Sequence, residues 1–269
     1  NVIYYNIYYY KLMKIQELFD LSGKVAVVTG GGDGIGKSCC EILAAAGAMI
    51  VVGDINIEKA RNVAVSIVAN GGKAIAVKCD VTSDPDLVEL INSAVVAFGT
   101  INILVNNAGM GGGGRENTFK IDSDYIERIY RINVFAPWRL CQLAVPLMGE
   151  SGYGSIINIT SVSSVNTEAD MSIYASSKAA MNHLAANLAY DFGPYGVRIN
   201  CVGPGATETG ALASVMTPQM IEKMLRHTPI KRLGNVSDIS QAVLFFASPA
   251  SSWINGQVLF VNGGGKQTL

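Results

Sequence analysis

Apolar residues fall along this chain in short continuous runs. Each run is followed by a stretch in which apolar and polar positions recur with helical spacing. The runs cover residues 24–29, 49–54, 73–79, 101–106, 155–160, 197–202 and 257–261. They are rich in Val and Ile and show no polar alternation, the pattern of strands buried on both faces of a parallel sheet. Helices are predicted between them over 35–46, 57–70, 84–98, 123–148, 172–192 and 236–247. This alternation, unbroken by a Pro- or Ser-rich linker, predicts right-handed crossovers. The expected fold is one doubly wound α/β domain, a seven-stranded parallel sheet with helices on both faces. Ligands in such a sheet bind beyond the carboxyl ends of the strands.

The first run ends in Thr29-Gly30-Gly31-Gly32-Asp33-Gly34-Ile35-Gly36, and a helix pattern follows at once. Glycines there let backbone N–H groups approach a pyrophosphate and let the helix pack close to the strand. Asp54 ends the next run, eighteen residues after Gly36. That is near the ~20-residue offset at which an acidic side chain accepts ribose hydroxyls. Asp54 would repel a 2′-phosphate, so NAD is favoured over NADP. Lys37 pulls the other way, but Asp54 stands at the strand end where the ribose must lie. Asp80 and Val81 close the third run, where they would meet the adenine. The same loop also fits the P-loop spacing through Gly31, Gly36, Lys37 and Ser38, so this region alone leaves the nucleotide open.

Further along, Tyr174 and Lys178 stand four residues apart in a predicted helix and so share a face. A lysine cation beside a phenol favours the phenolate and is expected to lower its pKa, giving a general acid/base nearer neutrality. On its own this pair is an unspecific pattern. His183 lies nine residues past Tyr174, off its helical face, and reads as a packing residue.

Taken together, these motifs resemble the short-chain dehydrogenase/reductase family, from about Leu21 to the C-terminus. Thr29-Gly30-x-x-x-Gly34-Ile35-Gly36 looks like its cofactor motif, and Asn106-Asn107-Ala108-Gly109 its second. Asn133 matches its helix asparagine, and Ser161, Tyr174 and Lys178 match its catalytic set. Pro204-Gly205-x-x-x-Thr209 is similar to its nicotinamide-side motif. The resemblance implies a Rossmann-type fold and an NAD-dependent oxidoreductase, and it leaves little room for the P-loop reading. It implies that Tyr174 is the acid/base and that Lys178 supports the phenolate and holds the nicotinamide ribose. Ser161 would polarise the substrate oxygen, and Asn133 would hold a proton-relay water. The implied cofactor-binding set is Gly30, Asp33, Gly34, Ile35, Gly36, Asp54, Asp80, Val81, Asn107, Ala108, Gly109, Tyr174, Lys178, Pro204, Gly205, Thr207 and Thr209.

Within the family the likeness is densest to members that oxidise the 7α-hydroxyl of bile acids. It runs through residues 159–161, 174–180, 224–230, 248–250 and 263–265. It implies a steroid-like apolar alcohol or ketone as substrate and a homotetramer. Residues 205–230, where Leu212, Val215, Met216, Met220, Met224 and Leu225 alternate with polar residues, read as a substrate lid. The rival substrate is a 3-oxoacyl thioester, whose charged arm would want basic residues such as Arg115, Lys120, Arg226, Lys231 and Arg232. A non-catalytic dinucleotide-binding protein is the reading from another class.

Composition narrows the picture in three ways. Of 269 residues, 20 are basic and 21 acidic, which gives no steering field for nucleic acid or an anionic membrane. Only 15% are charged, and mean hydropathy is +0.31, so apolar surface is expected to be buried between subunits. Five cysteines without paired spacing, and only two histidines, argue against disulfide frameworks and metal sites and fit a reducing cytoplasm. No apolar run reaches the ~20 residues of a membrane span. The tyrosine-rich residues 1–12 read as an appendage before Met13, within an extension over 1–20.

Overall fold

In the computed structural model, residues 14–111, 116–167, 169–209 and 217–265 are described. A short helix α1 (Ile15–Leu18) leads into strand β1 (Val25–Thr29), where all five residues are buried. Helix α2 (Gly34–Ala45) and strand β2 (Met49–Asp54) follow. Next come α3 (Ile57–Ala69), β3 (Lys73–Lys78), α4 (Asp84–Phe98) and β4 (Ile103–Asn106). The helix starts obey local capping chemistry. Asp33 accepts from Gly34 N, Asn56 from Glu58 N and Lys59 N, and Ser83 from Asp86 N, each satisfying donors the helix leaves open.

The single helix expected over 123–148 is three pieces: α5 (Ser123–Tyr130), a π-helical turn (Arg131–Phe135) and α6 (Ala136–Ser151). Hydrophobic periodicity does not reveal such a turn, because one extra residue in the helix leaves both flanking faces intact. It matters here because Asn133 lies inside it. Strand β5 (Gly154–Ile159), helix α7 (Ser172–Phe192), strand β6 (Val197–Pro204), β7 (Thr207–Glu208), α8 (Pro218–Leu225), β8 (Gly234–Asn235), α9 (Val236–Ala247) and β9 (Val258–Val261) complete the order.

Seven strands form one sheet in the order β3-β2-β1-β4-β5-β6-β9, and every pair is parallel. The expected doubly wound architecture is therefore present. The order reverses direction between β1 and β4, so a crevice opens beyond their carboxyl ends. The small parallel pair β7–β8 was not foreseen; two residues are too few to show a period. Each face of the sheet carries its own core. Leu43, Ile50, Val52 and Phe246 belong to one, under α2, α3 and α9. Leu90, Leu104, Leu140 and Met148 belong to the other, under α4 and α6. All five cysteines are free and buried, packing as small apolar residues. No helix among the described residues is long and apolar enough to cross a membrane.

Candidate active site

The turn after β1 is shaped by what its glycines lack. Gly30 has φ +61°, and a Cβ on Gly36 would run into the Gly30 carbonyl and the Asn107 amide. Those partners cannot give way. Asn107 Nδ2 donates to Thr29 O and Gly30 O, both at 3.0 Å, stitching the β4 exit to the turn. Thr29 Oγ1 accepts from Asn107 N and Ala108 N, both at 3.1 Å, a role the sequence did not signal. Helix α2 thus starts tight against β1 with its amide end facing the crevice, a setting for an anionic group.

Asp54 Oδ2 accepts from Gly32 N at 2.9 Å, which fixes this carboxylate beside the glycine turn. Asp33 reaches Lys59 Nζ at 2.7 Å while capping α2, and this pairing holds its carboxyl below the usual range. Asp80 accepts from the amide and hydroxyl of Thr82 at 2.9 and 2.8 Å, so it organises its own loop, and Val81 is half-buried beside it. The P-loop reading fails on Ser38. Its hydroxyl donates to Ser240 Oγ at 2.8 Å, turned toward α9 rather than toward the glycine turn.

On the far side of the crevice, Ser161 follows β5 and Tyr174 and Lys178 lie on α7. Lys178 is 5% exposed, and its Nζ donates to Ile159 O at 2.9 Å. The ammonium sits over the Tyr174 ring, 5.8 Å from its centroid. No carboxylate pairs with it among the described residues. Burial therefore pulls its pKa down to about 8. Ser161 Oγ accepts from Ser163 N at 3.1 Å, which leaves its proton free to point at the phenol or at a ligand oxygen.

The expected depression of the Tyr174 pKa is not what the site shows. Burial raises it, and hydrogen bonding from Ser161 pulls back in part. The reason is that the phenol is itself buried, and desolvation of its charged form outweighs what Ser161 returns.

Asn133 is 2% exposed, with its amide locked in place. Oδ1 accepts from Met110 N, and Nδ2 donates to Met110 O, both at 2.9 Å, and to Ser177 Oγ at 3.0 Å. Ser177 in turn donates to Tyr174 O at 2.7 Å. The π-turn thus anchors both the β4 exit and the tyrosine's helix. Gly109 approaches this group closely: a Cβ there would lie 3.3 Å from Lys178 Nζ. Pro204 ends β6, Gly205 N donates to Val261 O, and buried Thr207 donates to Gly205 O. The segment then crosses toward α2, and Thr209 lies close to Gly34.

Of the expected lid, Leu212, Val215 and Met216 lie outside the described residues, as does Arg115. Residues 1–13 lie outside them too. Just past the segment expected to form the lid, Lys231 Nζ donates to Leu225 O and Arg226 O, closing the end of α8.

A family model described as enoyl-(acyl carrier protein) reductase matches residues 30–266. The chain is 47% identical over 249 residues to 7alpha-hydroxysteroid dehydrogenase of Escherichia coli K12, covering 93% of this chain and 96% of that protein. It is 35% identical to the 4-formylbenzenesulfonate dehydrogenase of Comamonas testosteroni, covering 91% of this chain and 98% of that one. A solved 7 alpha-hydroxysteroid dehydrogenase, complexed with NADH and 7-oxo glycochenodeoxycholic acid, superposes with a TM-score of 0.90 at 46% identity. The match covers 96% of this chain and 100% of that one.

Proposed function

This chain belongs to the short-chain dehydrogenase/reductase family, and on that premise we propose that it interconverts the 7α-hydroxyl and 7-oxo forms of a bile-acid-like steroid with NAD(H). It is an oxidoreductase. The chemistry rests on one observation: the Ser161 hydroxyl, the Tyr174 phenol and a Lys178 ammonium that has no carboxylate partner among the described residues converge at the carboxyl edge of the sheet. The substrate reading rests on the likeness, in sequence and in structure, to 7alpha-hydroxysteroid dehydrogenase.

The residues present fit a nicotinamide dinucleotide. Gly30, Gly34, Ile35 and Gly36 form the tight turn and the start of α2, with Asp33 capping the Gly34 amide. Asp54 offers a carboxylate at the ribose distance along the chain, and Asp80 and Val81 border the adenine side. Asn107, Ala108 and Gly109 form the floor. Pro204, Gly205, Thr207 and Thr209 form the opposite wall. When bound, the cofactor supplies or accepts the hydride. Tyr174 gives a proton to the carbonyl oxygen in reduction and takes the alcohol proton in oxidation. Ser161 donates to that oxygen as its charge develops. Lys178 keeps positive charge behind the phenol, and Asn133 holds the surrounding backbone.

NAD is favoured over NADP because Asp54 is held beside the glycine turn, while Lys37 is offset by Glu41 on its own helix, 3.9 Å away. Asp54→Ala should raise kcat/KM with NADPH relative to NADH by about tenfold or more, a differential of ~1.4 kcal/mol. A wild-type preference for NADPH would contradict this assignment.

The thioester alternative is weakened because two of its candidate cations are already engaged. Lys231 caps α8, and Arg232 pairs with Asp238 at 2.6 Å. A fluorescence screen of NADH oxidation with bile acids bearing the oxo group at different carbons, beside a 3-oxoacyl thioester, tests the substrate. Turnover of the 7-oxo steroid well above the rest is expected; a thioester preference overturns it.

Assembly as a homotetramer in a reducing cytoplasm is supported by exposed Phe135, Trp138, Tyr190 and Trp253 and by the five unpaired thiols. Light scattering at micromolar concentration should report four chains; monomer alone would refute the assembly.

A further inference from the structure

Helix α7 begins without a side-chain cap of its own: Met171 stands at the N-cap and makes no such bond. Its first amides are served from far away in sequence. Glu116, only 4% exposed, accepts from Ile173 N at 2.7 Å through Oε2 and from Tyr174 N at 2.9 Å through Oε1. The same Oε1 accepts from Tyr125 OH on α5 at 3.1 Å. Glu116 N donates to Asp170 O at 3.1 Å, where the chain turns through the left-handed region at φ +57°. One carboxylate thus ties together the loop after β4, helix α5 and the backbone of the residue that carries the phenol.

We propose that Glu116 is the positioning residue for Tyr174: its carboxylate caps the first turn of α7 and sets where the phenol stands relative to Ser161 and Lys178. The inference rests on the reading of Tyr174 as acid/base and adds a residue that no motif marks. The geometry supports an effect on chemistry rather than on ligand affinity. Glu116 bonds the Tyr174 amide itself, and the opposite end of the same first turn is held by Ser177 on Tyr174 O. Releasing one end lets the phenol drift, and small displacements of a reacting group are heavily penalised.

The test compares Glu116→Ala and Glu116→Gln with the wild type, using NADH and 7-oxo glycochenodeoxycholic acid. Glu116→Ala should lower kcat by about 10- to 100-fold. KM for the steroid and Kd for NADH should stay within about twofold. Glu116→Gln keeps one acceptor and should recover part of kcat. Amide hydrogen exchange on the ligand-free protein supplies a readout independent of turnover. Ile173 and Tyr174 amides should exchange at least about tenfold faster in Glu116→Ala, while β1 and β4 keep their protection. Unchanged exchange at those amides, unchanged kcat, or a loss of protection spread over β1 and β4 would each overturn the proposal. Absent steroid turnover in the wild type, with the local exchange change intact, would instead sink the substrate reading and spare the cap.

Discussion

Tyr174→Phe should lower turnover by about 10²–10⁴-fold, the range one positioned acid/base supplies, while NADH binding stays within about twofold. The substitution removes a single oxygen. The ring still fills the space beside Ile129 and Gly111, where a Cβ on the glycine would meet both side chains. What is lost is the proton donor to the substrate oxygen and the phenol's link with Ser161. Stability should shift by no more than about 1 kcal/mol, the net worth of one neutral hydrogen bond. Steady-state kinetics and NADH fluorescence titration separate the two effects. Undiminished turnover would show that another group moves the proton.

Lys178→Met should nearly abolish activity and yet stabilise the ligand-free protein at pH 7. The lysine is buried with one carbonyl as its partner, and its pKa falls to about 8 from an ordinary 10.5. That difference corresponds to about 3 kcal/mol of disfavoured charge. Methionine fills a similar volume without a charge to desolvate. The sign follows from proton counts. Between pH 8 and 10.5 the unfolded chain holds more protons at this site than the native one, so wild-type stability rises with pH through that window. Lys178→Met lacks that rise, so its advantage should shrink from pH 7 to pH 10. Urea unfolding at the two pH values measures it; a variant less stable than wild type at pH 7 would refute the idea that this cation is held at a cost. Strain of this kind is what functional sites store.

Much of this molecule was legible in the chain because two different periods report it. Continuous Val- and Ile-rich runs gave the sheet, since strands buried on both faces carry no alternation. Glycines in the β1–α2 turn were legible because backbone geometry forbids a substitute, as the Gly36 contacts confirm. The π-turn at Asn133 left no mark, because an inserted residue does not disturb the flanking apolar faces. Glu116 was invisible for another reason. Its partners lie 57 and 58 residues away, and only tertiary folding brings a loop carboxylate to a helix start. The electrostatics of Tyr174 were misjudged from spacing alone. A shared helical face says that the lysine is near, but not that the phenol is desolvated, and burial decides the sign.

In the proposed reaction hydride passes directly to a steroid carbon and Tyr174 completes the transfer at oxygen. The most direct measurement is a single turnover with NADH deuterated at the reactive nicotinamide carbon and a 7-oxo bile acid, followed by mass spectrometry and NMR of the product. The predicted product is a 7α-hydroxysteroid carrying deuterium on carbon 7, formed by the wild type and not by Tyr174→Phe. A product without that label, or a steroid left untouched while the nicotinamide is bound, would contradict it.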